Sequence, residues 1–361
     1  MLRTVIECID LDAEMEFFVE SVGCRIHVVS PADDPRRVVL HHGERDALEL
    51  IRSDVDRPTR LVAEGEFESD RNLTSPGGTT VTVRPRGGSV AQVVGADMKV
   101  PDGVASLSIV EASDGSFGVG RAGMEYCDLL PDRWGGRFIA SHIRIVDGGD
   151  VADWVHFHRI RFQMIYVAAG WVDVVYEGQG EPFRMEAGDC VLQPPEIRHR
   201  VLRSSPGFEV IEIGCPAEHD TVADHELDLP TEAIEPLRDF SGQRFVRHVA
   251  SAATTTAWVE PSMAARDTGI DAATGGLAGA VVVGPSSSAV DTPSVLTHHG
   301  EFVLVVGLSG DATLDVDGRV CELSPLGAMA LPAGTRWTWT SRSHDHSALV
   351  VSLPADAIAV V

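Results

Sequence analysis

The sequence predicts a mainly β protein, and three observations carry that prediction. The 361 residues include 35 glycines and 20 prolines, many of them closing short Val- and Ile-rich runs, as in a chain that reverses direction every few residues. A hydrophobic fraction of 44% is enough for real cores, and the length allows two or three domains. A pattern of His, Gly and Pro between residues 156 and 199 also returns in weaker form after residue 298, which marks an internal duplication. Helical segments should be few.

Taken in order, residues 1–55 read as a β-α-β-β-β unit. A strand at Thr4–Ile9 precedes an acidic and aromatic helix, Leu11–Val22, stopped by Gly23, and strands follow at Arg25–Ser30, Arg37–His41 and Ala47–Arg52. Residues 56–112 are polar and are left as linker or unassigned, with Arg84-Pro85-Arg86-Gly87-Gly88 reading as a linker or long loop. Residues 113–228 form a first β domain, closing on Phe208–Gly214 and an acidic segment, Pro216–Pro230, whose His219 and His225 read as solvated. Residues 229–361 form the second, in which His344 and His346 fall in a loop.

The chemistry concentrates in the first β domain. His156 and His158 lie two apart in an extended segment and so project from one face of a strand. Gln163 could not share that face on an unbroken strand, so Arg159-Ile160-Arg161 must turn, and Phe162–Val175 supplies the partner strand with a bend at Gly170-Trp171. His199 arrives after Gly188 and Pro194-Pro195-Glu196. By strand period Gln163, Ile165 and Val167 share an apolar inner face, with Met164 and Tyr166 opposite.

This order resembles the two motifs of the cupin superfamily: a Gly, His-x-His, a carboxylate and a second Gly, then Gly, five residues, Pro and a last His. The sequence departs from it in having Gln163 for the usual Glu, Glu196 for the usual Gly, and Gly149 one position early. The resemblance implies two double-stranded β-helix (jelly-roll) barrels. In the first, one divalent ion would be held by His156, His158, Gln163 and His199, with Fe2+ first and Mn2+, Ni2+ or Zn2+ as alternatives. A neutral ligand set leaves the ion its full charge and favours anionic, oxygen-chelating partners. Arg161 and Arg198 flank the ligands and could hold a substrate carboxylate, and Glu196 could act as a general base, although both arginines could equally point outward. In the second barrel Gly327, Pro332 and Gly334 match the later motif, but Trp337 stands where the last His belongs and Leu296 and His298 stand opposite His156 and His158. That barrel reads as one that has lost its metal. Residues 1–55 resemble one module of the vicinal-oxygen-chelate (glyoxalase-like) superfamily, in which Glu7 and Glu49 would be the ligand positions; with no second module, a packing, dimerisation or substrate-shaping role is preferred.

The activity expected from the resemblance is an iron-dependent dioxygenase acting on a small, oxygen-rich, anionic metabolite. The alternatives are a non-oxidative isomerase, cyclase or lyase working through an enolate, and a non-catalytic binding or sensing protein. A net charge of −25, from 29 basic against 54 acidic residues, argues against nucleic acid and anionic membranes as partners. Six scattered cysteines without CxxC spacing and the absence of a signal peptide suggest a reducing, cytoplasmic setting. No apolar run is long enough to span a bilayer, and a homodimer is compatible with the surface. No GxSxG, GxxxxGK[ST], HExxH or GxGxxG pattern competes.

Overall fold

The computed structural model of the protein describes residues 4–42, 46–65, 67, 71–85, 100–112, 115–286 and 293–361. At the N-terminus, the strand Thr4–Cys8 lies parallel to Asp46–Arg52, which is followed across the sheet by Arg37–His42 and Arg25–Ser30 in antiparallel order. The helix Leu11–Glu16 starts where the Asp10 side chain accepts from the Ala13 amide at 3.0 Å. It continues as a π-helical turn, Phe17–Ser21, and ends at Gly23, whose φ of 80° needs a residue without Cβ strain. Strand alternation sends Ile6, Cys8, Leu40 and Leu50 under the helix residues Leu11 and Phe18.

The described strands between residues 60 and 85 belong to the same core and are not a linker. Arg60–Gly65 and Thr80–Pro85 pair in parallel, Arg71–Thr74 adds an antiparallel edge, and Ala63, Val81 and Val83 pack among the helix residues. Of the stretch read as a linker, Arg84 and Pro85 end a strand, and residues 86–88 lie outside the described residues.

Two jelly-roll barrels make up the rest. One sheet of the first runs through Cys190–Leu192, Phe162–Ala169, Phe208–Cys215, Ile139–Ile145, Glu125–Asp128 and Gly118–Val119; the facing sheet runs through Asp220–Ala223, His156–Arg159, His199–Ser204, Trp171–Tyr176 and Phe183–Glu186. The second barrel sets Met263–Asp267, Gly279–Pro285, Ser347–Leu353, Phe302–Ser309 and Ala328–Leu331 against Arg319–Leu323, Ala312–Val316, Arg336–Arg342, Leu296–His298 and Ile358–Val360. The barrels exchange edge strands. Ser108–Val110, from before the first barrel, pairs with Ala328–Leu331 of the second, and Val246–His248, from after the first, pairs with Cys190–Leu192.

Their back sheets pack face to face. Phe162, Met164 and Tyr166 share one apolar layer with Phe302, Leu304 and Val306, and Phe302 stacks on Phe138 at a ring-centroid distance of 4.3 Å. Each such ring, taken from water, contributes roughly 2 kcal/mol before entropy is counted. At the rim of this layer Arg161 donates two bonds to Glu301, at 2.9 and 3.0 Å.

The segment read as an acidic linker contains a barrel strand. Asp220–Ala223 pairs on one side with His156–Arg159 and on the other with Arg25–Ser30, through Val28 opposite Val222 and Val29 opposite Thr221. The N-terminal sheet and the histidine-bearing sheet are therefore one continuous ten-stranded sheet. Among the described residues no helix is long and apolar enough to cross a membrane, and all six cysteines are buried and unpaired.

Candidate metal centre

The turn at Arg159–Arg161 puts His156–Arg159 in one sheet of the first barrel and Phe162–Ala169 in the other, so their side chains meet across the interior. His156 stands directly opposite His199 in an antiparallel pair. Each of His156, His158 and His199 offers a ring nitrogen, and the three nitrogens lie within 4.8 Å of one another. Among the described residues this is the only group of His, Cys, Asp or Glu with that property.

The outer nitrogens are already engaged. His156 Nδ1–H donates to the Trp154 carbonyl at 2.8 Å and His199 Nδ1–H to the Ile197 carbonyl at 3.0 Å, while the Thr221 hydroxyl is hydrogen-bonded to His158 Nδ1 at 3.0 Å. A carbonyl acceptor fixes the proton on Nδ1, so the Nε2 lone pairs of His156 and His199 face inward, as metal ligation requires. Burial pushes His199 down to about 4 and His156 and His158 well below the ordinary imidazole range; the Arg121 charge adds to the effect on His156, and the neighbouring histidines to that on His158. The rings are thus held in their neutral, electron-donating form.

Gln163 lines the same cavity as the three histidines. Its amide N–H donates to Glu212, which orients the group and leaves Gln163 Oε1 buried without a hydrogen-bond partner. An unanswered buried carbonyl costs about 1–3 kcal/mol, and a cation beside the three imidazoles would satisfy it. The residues present therefore fit a divalent ion. In this structure the same lone pairs accept from other N–H groups: Arg121 Nη2 lies 3.1 Å from His156 Nε2, and Gln193 Nε2 lies 2.7 Å from His199 Nε2.

Arg121 was not expected from the sequence. It comes from a short 3-10 turn, Arg121–Gly123, and is ion-paired with Asp153, whose side chain is fully buried. Asp153 also accepts from the Val201 and Trp154 amides, both at 2.9 Å. Arg121, the three histidines and Gln163 line a cavity of about 90 Å³, together with Tyr126, Tyr176 and an apolar wall that includes Met124, Ile143, Ile165, Val174 and Val210. Glu212 is the acid in this wall, and burial raises its pKa against the opposing effects of the Gln163 N–H and Arg121.

The other sequence candidates lie elsewhere. Arg161 is committed to Glu301 at the barrel interface. Arg198 pairs with Asp224 at 3.1 Å and sits over the Phe157 ring. Glu196 is exposed, 3.4 Å from Arg159; its φ of 62° explains why a glycine would suit this position. None of the three lines the cavity, so a part for them in catalysis has no geometric support. His225 is exposed and contacts the Ile26 carbonyl. His219, read as solvated, is instead buried: its ring lies 5.3 Å from that of His158, and its Nε2 has no hydrogen-bond partner. Glu7 pairs with Arg57 at 3.1 Å and Glu49 with Arg37.

The second barrel repeats the geometry without the ligands. Leu296 stands opposite Trp337 as His156 stands opposite His199, and Phe302 opposite Leu353 as Phe162 stands opposite Cys215, which places Val303 at the Gln163 position. Leu296, Val303, Leu314, Met329, Trp337 and Trp339 fill that interior. The remaining His298 donates from Nε2 to the Leu331 carbonyl at 2.8 Å.

No family model matches the sequence, and no curated protein matches it. Among solved structures, a variant of Bacillus subtilis oxalate decarboxylase is similar over 76% of this chain and 89% of its own, with a TM-score of 0.51 and 11% identity. The Lactobacillus farciminis oxalate decarboxylase formate complex is similar over 73% and 90%, at 0.51 and 11%. A variant of salicylate 1,2-dioxygenase from Pseudoaminobacter salicylatoxidans covers 62% of this chain and 74% of its own, at 0.46 and 12%. The oxalate decarboxylase likenesses, at that identity, show the fold alone: two jelly-roll barrels in one chain.

Proposed function

We propose that the first barrel holds one divalent metal ion on His156, His158, His199 and Gln163, and that the protein is an enzyme acting there on a small, anionic, oxygen-rich metabolite. The observation that carries this reading is the group of three imidazole nitrogens within 4.8 Å of one another, with the unanswered Gln163 Oε1 belonging to a residue that lines the same cavity. The ion would supply Lewis acidity, and with iron the means of using dioxygen.

The chain's own residues supply recognition. Three imidazoles and an amide carry no charge, and Arg121 is balanced by Asp153, so Glu212 is the one acid of the wall set against the ion's charge, and an entering anion would add to it. Arg121 has five N–H donors; Asp153 holds one, and the one now on His156 Nε2 would be released when that lone pair binds the ion. The rest are available to a substrate carboxylate, and the apolar wall excludes water from the other side. Iron-dependent dioxygenation is the reaction class we assign. The second reading, non-oxidative proton transfer, is favoured by Glu212, a carboxyl group placed in the cavity against Gln163. Oxygen uptake by iron-loaded protein, assayed with catechols, diketones and hydroxy acids, tests the assignment. Consumption of one equivalent of oxygen per turnover supports it, and turnover without oxygen, sustained by manganese or zinc, replaces it with the second reading.

A further inference from the structure

The cavity is not closed by the barrel alone. Ala32 lies in the loop Ser30–Asp34 of the N-terminal domain, between Arg25–Ser30 and Arg37–His42, and it lines the same cavity as His156, His158 and Arg121. This loop is tied down along its length. The Ser30 hydroxyl donates to the His219 carbonyl at 3.2 Å, the Arg121 amide approaches the Ala32 carbonyl at 3.4 Å, and Asp33 is ion-paired with Arg133, which also binds Asp128 at 2.9 Å. Asp34 is held by Arg52 at 2.6 Å, and just beyond the loop Arg36 is ion-paired with Glu218.

The strand that enters this loop is in register with the metal-site strand. Val29 stands opposite Thr221, and Thr221 stands opposite His158, whose Nδ1 it contacts. The loop's position is therefore set by the same hydrogen-bond ladder that positions His158. Because Arg121 touches the loop through its backbone and the cavity through its guanidinium, Ala32 borders the space beside whatever Arg121 binds.

We infer that the N-terminal domain forms part of the substrate site, and that Ala32 is a specificity-determining residue limiting the bulk of the group next to the anchored carboxylate. The inference rests on the reading of the first barrel as a metal-dependent carboxylate site. A wall fixed by two ion pairs and a continuous sheet yields little, so added side-chain volume at Ala32 is taken directly from the ligand.

The test uses the full chain loaded with Mn2+ and titrated calorimetrically with acetate and with benzoate, for the wild type, Ala32→Phe and Ala32→Gly. The expected result is a fall of at least tenfold in the benzoate-to-acetate affinity ratio in Ala32→Phe, no fall in Ala32→Gly, and unchanged metal content in both. An unchanged ratio in folded, metal-loaded Ala32→Phe overturns the inference and leaves the metal site standing. Wild-type protein that retains no Mn2+, or that retains it and binds neither carboxylate, sinks the underlying reading and the inference with it. Should Ala32→Phe fail to fold, hydrogen exchange on the wild type decides: benzoate must slow the amides of residues 30, 32–34 and 120–123 more than acetate does, and equal protection overturns the inference.

Discussion

Replacing Asp153 by alanine would remove the anchor on which the cavity's arginine depends. The Asp153 side chain is 0% exposed and that of Arg121 11%, so the pair is not a surface bridge worth under about 1 kcal/mol. Taking one partner from a buried ion pair costs about 3–5 kcal/mol because the other charge is left uncompensated. The Val201 and Trp154 amides would lose their acceptor as well, at up to about 1–3 kcal/mol each where water cannot reach them. The expected loss is thus at least about 3 kcal/mol. Equilibrium urea unfolding, followed by intrinsic fluorescence, measures it. Arg121→Met combined with Asp153→Ala should recover part of the loss, since the uncompensated charge is gone. The amides of Trp154 and Val201 flank the strands carrying His156 and His199, so metal affinity should also fall about 10- to 100-fold in the single variant. A loss below about 1 kcal/mol in Asp153→Ala, with metal retained at full affinity, would refute the placement of this pair as a buried support of the site.

Four further outcomes follow from the same structure. Gln163→Glu puts a second carboxyl group against Glu212, so the metal-free variant should melt lower than the wild type, while added divalent metal should stabilise it more than it stabilises the wild type, read from paired melting curves. Trp337→Ala empties a fully buried site in the second barrel and should cost about 3–5 kcal/mol without changing the metal content of the first. Phe302→Ala removes a ring stacked on Phe138 and should cost a similar amount, about 3–5 kcal/mol, with the transition broadening if the barrels then unfold separately. Glu301 is held below the usual carboxylate range by its bonds from Arg161; the stability this gives is present above the ordinary glutamate pKa and is lost as pH falls through the depressed one. Glu301→Gln, an exposed pair worth about 1 kcal/mol at most, should therefore narrow the stability difference between pH 6 and pH 3.

Much of this arrangement could be read from the residues, and what could not has specific causes. The strand Arg25–Ser30 was legible because Val28 and Val29 sit in a clear β-branched run, and the bend at Gly170 because a left-handed residue must join two strands there, as its φ of 71° bears out. The inward set Gln163, Ile165 and Val167 followed from a period of two. The exchanged strands Ser108–Val110 and Val246–His248 are three residues each and exist only through partners more than 50 residues away, so no local pattern announces them. Asp220–Ala223 is short and flanked by acids, and composition made it look like linker; that reading also hid His219. The parallel pair at Thr80–Pro85 did carry a signal, the alternation Thr-Val-Thr-Val, which the surrounding polarity obscured. Arg121 could not be found by spacing, since it reaches His156 from a turn 35 residues earlier.

The central claim is that His156, His158, His199 and Gln163 hold a metal. Elemental analysis of protein purified without added metal, set beside His156→Ala and His199→Ala, tests it directly. About one equivalent of a divalent transition metal in the wild type, lost in both variants while their circular dichroism is kept, is the predicted result. Full metal content in either variant, or a wild type that takes up no metal when offered iron, manganese, nickel or zinc, would contradict it.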